Sequence, residues 1–178
     1  IHRRRIEEVA ARRLDAKFSV LPDGGHTVTE SSFFGNHPQL RDPSDVDDVQ
    51  FLDTTLRDGE QAPGVSLTPE EKARIARGLD RAEIDFIEAG SACTGPGERE
   101  TIKRVTDLDL DATITSFSRG IQNDIDLALD CDVDGVNLVV PASDKHVETK
   151  VGSNRDAVVE TTVELVEYAT DHGLWVEV

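Results

Sequence analysis

From residue 49 onward the chain alternates apolar, strand-like runs with helix-like segments, and this alternation constrains its fold more than any other feature. The strand-like runs lie at residues 49–55, 86–90, 112–117, 135–141 and 174–178. Apolar strands that alternate with helices pair in parallel and are covered by those helices. The pattern therefore predicts an α/β fold with a parallel sheet. It leaves two architectures open, a doubly wound sheet and a closed barrel.

Four helix-like segments separate the strands, and the first has a strong start signal. Thr68 is placed to cap the helix, Pro69 stands at its first position, and Glu71 completes a capping box. The other segments are predicted at residues 96–105, 123–129 and 154–168, the last being the longest. The predicted core-facing residues are Ile75, Leu79, Ala82, Ile102, Val105, Ile125, Leu129, Val159, Val163 and Val166.

Residues 1–48 differ from the rest of the chain and are predicted to form an N-terminal extension or linker. Residues 1–17 are locally basic with helical apolar spacing, which indicates a short amphipathic helix. Residues 22–48 are rich in Pro and Gly and end in an acidic run, so we expect little structure there. The domain boundary is therefore placed between residues 48 and 49.

Charge narrows the range of partners. The 178 residues carry 36 Asp and Glu against 19 Lys and Arg, a formal net charge of -17. Such a field repels nucleic acid and anionic membranes, so neither is expected as a partner. The acid excess suits a halophilic protein in a salt-rich cytoplasm, and an ordinary acidic enzyme is the alternative. Two cysteines, Cys93 and Cys131, form no zinc spacing or disulfide framework, which fits a cytoplasmic location.

The segment Asp-Thr-Thr-Leu-Arg-Asp-Gly-Glu-Gln at residues 53–61 directly follows the first strand-like run. Asp53, Asp58 and Glu60 surround Arg57 within eight residues. An ordinary turn accounts for Asp58 and the glycine after it. It does not account for an arginine flanked by acids at the exit of a buried-looking strand, so this segment is the first candidate site.

Other polar residues occur within or just after the later strands. Glu88 lies within the second strand, Ser143 and His146 follow the fourth, and Glu177 lies in the fifth. The carboxyl ends of parallel strands form the active-site edge of α/β folds. Each residue also has a structural explanation: Glu88 could pair with an arginine, Ser143 could cap a turn, and His146 could be a loop histidine.

The chemistry of Asp58 and Arg57 favours a 2-oxo acid site. Asp58 is the best hard-metal ligand present, and a lone carboxylate suits a divalent ion that takes further ligands from elsewhere. Arg57 could hold a substrate carboxylate or a developing enolate oxygen through charge-assisted hydrogen bonds. Metal and arginine together would polarise the keto group for attack.

Residues 53–67 resemble the first signature of the 2-isopropylmalate, homocitrate and citramalate synthases, metal-dependent TIM-barrel enzymes related to 3-hydroxy-3-methylglutaryl-CoA lyase. Further similar segments lie at residues 87–92, 97–100, 131–134 and 138–143. The resemblance covers residues 49–178 and implies a partial (β/α)8 barrel of about five strands and four helices, the front part of a longer protein. The family condenses acetyl-CoA with a 2-oxo acid in a Claisen-type reaction and then hydrolyses the thioester.

The resemblance also implies roles for individual residues. Asp58 would bind a divalent metal (Mg, Mn or Zn), and Arg57 and Glu88 would be catalytic. The substrates would be bound by Arg57, Gln61, Ser143, His146 and Glu177. The family's His-x-His metal ligands are not found in this sequence, so the chain as written is expected to be inactive, and the parent enzyme is expected to be a homodimer.

Within the family, the segments are most similar to archaeal (R)-citramalate synthases, which use pyruvate and serve isoleucine synthesis. A 2-isopropylmalate synthase of leucine synthesis is the close alternative. Homocitrate synthase is less favoured, because Glu177 would repel the distal carboxylate of 2-oxoglutarate. A lyase of the same superfamily and a non-catalytic acidic domain are the remaining alternatives.

Overall fold

A computed structural model describes residues 49–178, apart from the Lys150 side chain, so the predictions for residues 1–48 lie outside the described part. The strands are β1 (Leu52–Asp53), β2 (Phe86–Gly90), β3 (Thr113–Arg119), β4 (Gly135–Val139) and β5 (Trp175–Glu177). The helices are α1 (Pro69–Arg81), α2 (Pro96–Thr106), α3 (Gln122–Leu129), the short α4 (Asp144–His146) and α5 (Arg155–Asp171). A 3-10 turn (Gly59–Gln61) follows β1, and a π-helical turn (Val147–Val151) follows α4.

The five strands form one parallel sheet in the order β1-β2-β3-β4-β5. A doubly wound sheet reverses its strand order at a switch point, whereas a barrel adds each strand beside the previous one. The sequential order therefore resolves the two alternatives in favour of a partial TIM barrel. All five carboxyl ends lie along the same edge of the sheet.

Strand β1 is shorter than the predicted run 49–55, because the chain turns sharply at Thr54. The Thr54 carbonyl accepts hydrogen bonds from the backbone N–H groups of Arg57, Asp58 and Gly59 at 2.8–3.1 Å. The Asp53 carboxylate accepts a further bond from Thr55 N at 2.9 Å. Because the Thr54 carbonyl already accepts three hydrogen bonds within the turn, it does not pair with the neighbouring strand. Strand β1 therefore ends at Asp53, and the turn places Arg57 at the carboxyl edge of the sheet.

The start of α1 has the predicted capping box, with the Thr68 hydroxyl accepting from Glu71 N and the Glu71 carboxylate accepting from Thr68 N. The predicted buried stripe of α1 is partly wrong. Ala82 is the exposed C-terminal cap, and the most buried residues are Lys72, Ala73 and Ala76. Ile75 and Leu79 are half-buried against the core.

The predicted stripes of α2 and α3 are largely confirmed, and that of α5 is mostly wrong. Ile102, Val105 and Ile125 are fully buried, and Leu129 is partly buried. In α5, Val159 and Val163 are 57% and 51% exposed, and only Val166 packs partly on the core. The residues that anchor α5 are Leu165 and Ala169, four residues apart on one face, so the helix is rotated relative to its valines.

The two faces of the sheet differ in character. The outer face carries apolar residues that pack on the helices, among them Ile87, Ile114 and Val136. Side chains alternate between faces along a strand, so their neighbours Glu88, Thr115 and Asn137 point to the inner face. These three polar residues are all buried. The fold therefore places a buried polar row inside the sheet, close to its carboxyl edge.

Candidate active site

Arg57 lies at the carboxyl edge of the sheet, where it contacts residues of β2 and β3. Its Nε donates to Glu88 Oε2 at 2.6 Å, and its Nη1 donates to Asp58 Oδ1 at 3.1 Å. The guanidinium carbon lies 4.5 Å from the centre of the Phe117 ring, the distance of a cation–π contact. The turn after β1 therefore holds a planar cation between two carboxylates and an aromatic face.

Glu88 is the most enclosed member of this cluster, with 1% of its side chain exposed. Its second oxygen, Oε1, accepts from Asn137 Nδ2 at 2.8 Å, and Asn137 Nδ2 also lies 3.3 Å from Thr115 Oγ1. A buried carboxylate is costly unless it is paired and hydrogen-bonded, and both conditions hold here. Glu88 pairs with an arginine, as its structural explanation required. That arginine is Arg57, the candidate catalytic residue, so the pairing does not separate a structural role of Glu88 from a functional one.

A β-bulge lies beside Glu88. The pairing of β2 with β3 shifts register between Glu88 and Gly90. A bulge adds one residue to a strand and redirects the side chains around it. Ala89 and Gly90 can therefore both pack toward the helices, while Glu88 keeps its inward direction.

Asp58 is suited to a solvent-accessible ligand. Its side chain is 63% exposed, and only Oδ1 is engaged within the described residues, by Arg57. Across residues 49–178 no three His, Cys, Asp or Glu side chains come together as a metal-binding group. The described residues therefore offer a divalent ion one exposed carboxylate, and such an ion would need further ligands from water or from protein outside these residues.

The remaining predicted site residues lie at the same edge but outside this cluster. Gln61 is exposed at the end of the 3-10 turn, where its N–H donates to Asp58 O at 3.0 Å. Ser143 and His146 are exposed, and Ser143 Oγ accepts from His146 N at 3.4 Å as the cap of α4. Within residues 49–178, neither of these two contacts the Arg57 cluster.

Glu177 reaches the same inner face through strand pairing. It is the register partner of Asn137, and Asn137 is the register partner of Phe117. Register partners in a parallel sheet point to the same face, so Phe117, Asn137 and Glu177 form a row across three strands. Glu177 is exposed and makes no hydrogen bond to the Arg57 cluster in the described structure.

Arg119, the last residue of β3, also lies at this edge and has a structural partner. Its Nε and Nη2 donate to Asp124 Oδ2 and Oδ1 at 2.8 and 3.0 Å, and its backbone N–H donates to the same carboxylate. Burial raises the pKa of Asp124, but the hydrogen bonds from Arg119 outweigh it and leave that pKa below its usual value. Arg119 therefore fastens the start of α3 to the end of β3.

A buried lysine beneath the β1 loop was not predicted. Lys72 is 1% exposed, and its Nζ lies 2.7 Å from Glu60 Oε2 and 3.0 Å from Glu98 Oε1. Glu60 Oε1 also accepts from Leu67 N at 2.9 Å. This network ties both ends of the loop after β1 to the first turns of α1 and α2.

Two sequence signals could have revealed the unpredicted residues. Lys72 stands four residues before Ala76 and seven before Leu79, which places a charge on the core-facing stripe of α1. Asn137 interrupts the apolar strand Gly135–Val139. A polar group in such positions requires a buried partner.

A sequentially ordered parallel sheet with a partly buried Arg57–Glu88 pair and an exposed acid at its carboxyl edge is the architecture of a partial α/β barrel with a charged site. The HMGL-like family model matches residues 48–178, and the chain belongs to the HMGL-like family.

Several individual proteins with assigned names are similar in sequence to this chain. The chain is 58% identical over 129 residues to a protein named putative (R)-citramalate synthase CimA from Methanothermobacter thermautotrophicus. It is 57% identical to (R)-citramalate synthase CimA from Methanocaldococcus jannaschii over the same length, and each match covers 72% of this chain and 26% of the relative. A probable 2-isopropylmalate synthase from Methanopyrus kandleri is 48% identical, covering 74% of this chain and 26% of the relative. The chain thus spans about a quarter of the length of these relatives.

Solved structures agree on the fold. HMG-CoA lyase from Bacillus subtilis matches with a TM-score of 0.60 and 18% identity, over 72% of this chain and 45% of that one. This likeness concerns the fold alone. Separately, none of the helices in residues 49–178 combines the length and apolar character needed to cross a membrane.

Proposed function

We propose that the whole protein is a metal-dependent acyltransferase that condenses acetyl-CoA with a 2-oxo acid, most favourably pyruvate to give (R)-citramalate for isoleucine synthesis. The observation that carries this proposal is the placement of Arg57 between Glu88 and Phe117, directly beside Asp58. The names of two relatives that are 57–58% identical support the same chemistry.

The geometry gives Arg57 a role in stabilising negative charge. A guanidinium has five N–H donors, and within the described residues Glu88 and Asp58 use two of them. Three donors remain for the carboxylate of a 2-oxo acid and for the oxygen that gains charge during attack. The ring of Phe117 and the Glu88 carboxylate fix the plane of these donors before substrate arrives, so little reorganisation is needed during the reaction.

Asp58 would hold the divalent ion, because it has an exposed carboxylate with an oxygen unused within residues 49–178. When bound, such an ion supplies Lewis-acid polarisation of the keto group. The methyl carbon of acetyl-CoA would lose a proton to a general base and form a bond to the keto carbon, while the C=O π electrons move to the keto oxygen, which then takes up a proton. Hydrolysis of the thioester by water then releases the CoA thiol. Because residues 49–178 supply only this one carboxylate for the metal, we expect residues 1–178 alone to show no turnover.

Pyruvate is favoured over other acceptors by two observations. The relatives named (R)-citramalate synthase are 57–58% identical, against 48% for the probable 2-isopropylmalate synthase. Glu177, on the inner face beside Asn137, would repel the second carboxylate of 2-oxoglutarate. A 2-isopropylmalate synthase acting on 2-oxoisovalerate is the second candidate, since one branch in the acceptor changes binding only modestly.

The test is CoA release by the full-length protein at high salt with Mg²⁺ or Mn²⁺, using pyruvate, 2-oxoisovalerate and 2-oxoglutarate in parallel. Preference for pyruvate with formation of (R)-citramalate is expected. Preference for 2-oxoisovalerate would replace the substrate assignment and keep the chemistry, and no release with any acceptor would contradict the proposal.

Two variants test the mechanism. Arg57→Ala and Asp58→Ala should each lower kcat by about 10²–10³-fold or more while far-UV circular dichroism stays unchanged. Arg104→Ala is the matched control, because Arg104 is 51% exposed and its ion-pair partner within residues 49–178 is Glu70, which is also exposed. Full activity in either site variant would remove that residue from the mechanism.

A further inference from the structure

Asn137 is a buried polar residue to which the proposed chemistry gives no role. It lies in the middle of β4 and is 7% exposed, between Val136 and Leu138, which pack on the helices. Its Nδ2 donates to Glu88 Oε1 at 2.8 Å and lies 3.3 Å from Thr115 Oγ1. Its Oδ1 is fully buried and has no hydrogen-bond partner among residues 49–178.

The orientation of the Asn137 amide follows from its neighbour. An ionised carboxylate only accepts hydrogen bonds, so the amide must face Glu88 with its NH₂ group. Turning the amide over would bring Oδ1 against a carboxylate oxygen. The amide therefore satisfies Glu88 while its own oxygen is left unpaired, which is an unfavourable state for a buried acceptor.

An apolar side chain of the same size would avoid this cost but would leave Glu88 Oε1 without its donor. The two oxygens of Glu88 are held from opposite sides, one by Asn137 and the other by Arg57 Nε at 2.6 Å. Asn137 is also the register partner of Phe117, whose ring lies under the guanidinium. Three neighbouring strands thus fix the plane of Arg57 through Glu88, Phe117 and Asn137.

We propose that Asn137 is a positioning residue that holds the Glu88 carboxylate and, through it, aligns the Arg57 guanidinium for catalysis. This inference rests on the proposed function, since it assigns Asn137 a part in that same site. Without the amide, Glu88 can rotate away from the plane of Arg57, and the remaining guanidinium donors lose their fixed direction. Misalignment of a group that acts in the transition state lowers kcat more than it changes substrate binding.

The kinetic test uses the full-length protein with Asn137→Leu, Asn137→Ser and the control Thr115→Val, which removes only the 3.3 Å contact. Asn137→Leu should lower kcat about 10–100-fold, the effect of losing one hydrogen bond to a charged group, with KM for acetyl-CoA within about twofold. Asn137→Ser, which keeps a donor, should lose less, and Thr115→Val should stay within about twofold of wild type.

A double-mutant cycle separates positioning from general destabilisation. A lysine at position 57 has no planar fork to align, so Asn137→Leu should have much less effect in an Arg57→Lys background than in wild type. Equal effects in both backgrounds would overturn the proposal, as would an unchanged kcat in Asn137→Leu. If Asn137→Leu does not fold, the same cycle with Asn137→Ser decides.

A readout that does not depend on activity completes the test. In a crystal structure of full-length Asn137→Leu, or of Asn137→Ser if the former does not fold, the Arg57 Nε–Glu88 bond should be lengthened or lost. An Arg57–Glu88 geometry identical to that of wild type would overturn the positioning role. If wild-type protein releases no CoA but the pair rearranges in the variant, the proposed function fails, and of the inference only the structural part stands, that Asn137 holds the Arg57–Glu88 pair.

Discussion

Lys72→Met is the perturbation that most directly tests how the loop after β1 is held. The substitution keeps an unbranched side chain of similar length in a site that is 1% exposed, and it removes only the cation. Glu60 and Glu98 then face each other without the ammonium that lies 2.7 and 3.0 Å from them. Two charge-assisted hydrogen bonds disappear and two carboxylates are left to repel.

The expected magnitude follows from burial. Breaking a buried ion pair by removing one partner costs about 3–5 kcal/mol. The side chains of Glu60 and Glu98 are 25% and 20% exposed, so water can partly replace the lost ammonium. We therefore expect the free energy of unfolding to fall by about 2–4 kcal/mol, which corresponds to a urea midpoint lower by about 1–2 M.

The loss of stability in Lys72→Met should depend on pH. Burial raises the pKa of Glu60, but the hydrogen bonds from Lys72 and Leu67 N outweigh it and hold that pKa below its ordinary value of 4.5. A depressed carboxyl pKa stabilises the fold above the ordinary pKa, and that stability is lost as pH falls through the folded-state pKa. The gap between wild type and Lys72→Met should therefore be full at neutral pH and narrow as pH falls below 4.5.

The assay is urea denaturation in high salt, followed by far-UV circular dichroism at neutral and acidic pH. Lys103→Met on α2 is the matched control, because Lys103 is exposed. If Lys72→Met unfolds within about 0.5 kcal/mol of that control at neutral pH, the network is not a stabilising anchor and the reasoning fails.

Two further predictions concern the same elements and the charge of the chain. Gly90→Ala should lower the free energy of unfolding by about 1–3 kcal/mol, since a Cβ there would overlap the Glu98 carboxylate and lie 3.2 Å from Ile102 Cγ1. The loss should shrink in a Glu98→Ala background, and equal losses in urea titrations of both would argue against this contact. Lowering KCl from about 1 M to about 0.1 M lengthens the screening distance from ~3 to ~10 Å, so a chain of net charge -17 should lose far-UV circular dichroism. An unchanged spectrum would speak against the halophilic interpretation.

Local signals in the sequence predicted much of the fold. The Thr68–Glu71 capping box located the start of α1, and apolar, strand-like runs located all five strands. The strand order could not be read from periodicity, because doubly wound sheets and barrels share the same alternation. Helix faces were less predictable where residue type and spacing disagreed, as in α5, where Leu165 and Ala169 are buried and Val159 is exposed.

The candidate site was predictable where several signals met in one segment. Arg57 and Asp58 stood out because charge gathered after an apolar strand, and Glu88 stood out as an acid within one. Asn137 and Phe117 contribute through contacts between strands that are distant in sequence. Such contacts depend on register, and register is set by the assembled sheet rather than by any local segment.

The sequential strand order also has a consequence for how the chain acquires its structure during synthesis. Every strand pairs with the one made just before it, so each new βα unit can dock on a surface that is already present. Loop closure stays short: 31 residues separate Arg57 from Glu88, and 49 separate Glu88 from Asn137. We expect the Arg57–Glu88 hydrogen bond to form early, while the chain is still on the ribosome. The Asn137 amide of β4 would bond to Glu88 later and hold its carboxylate in place.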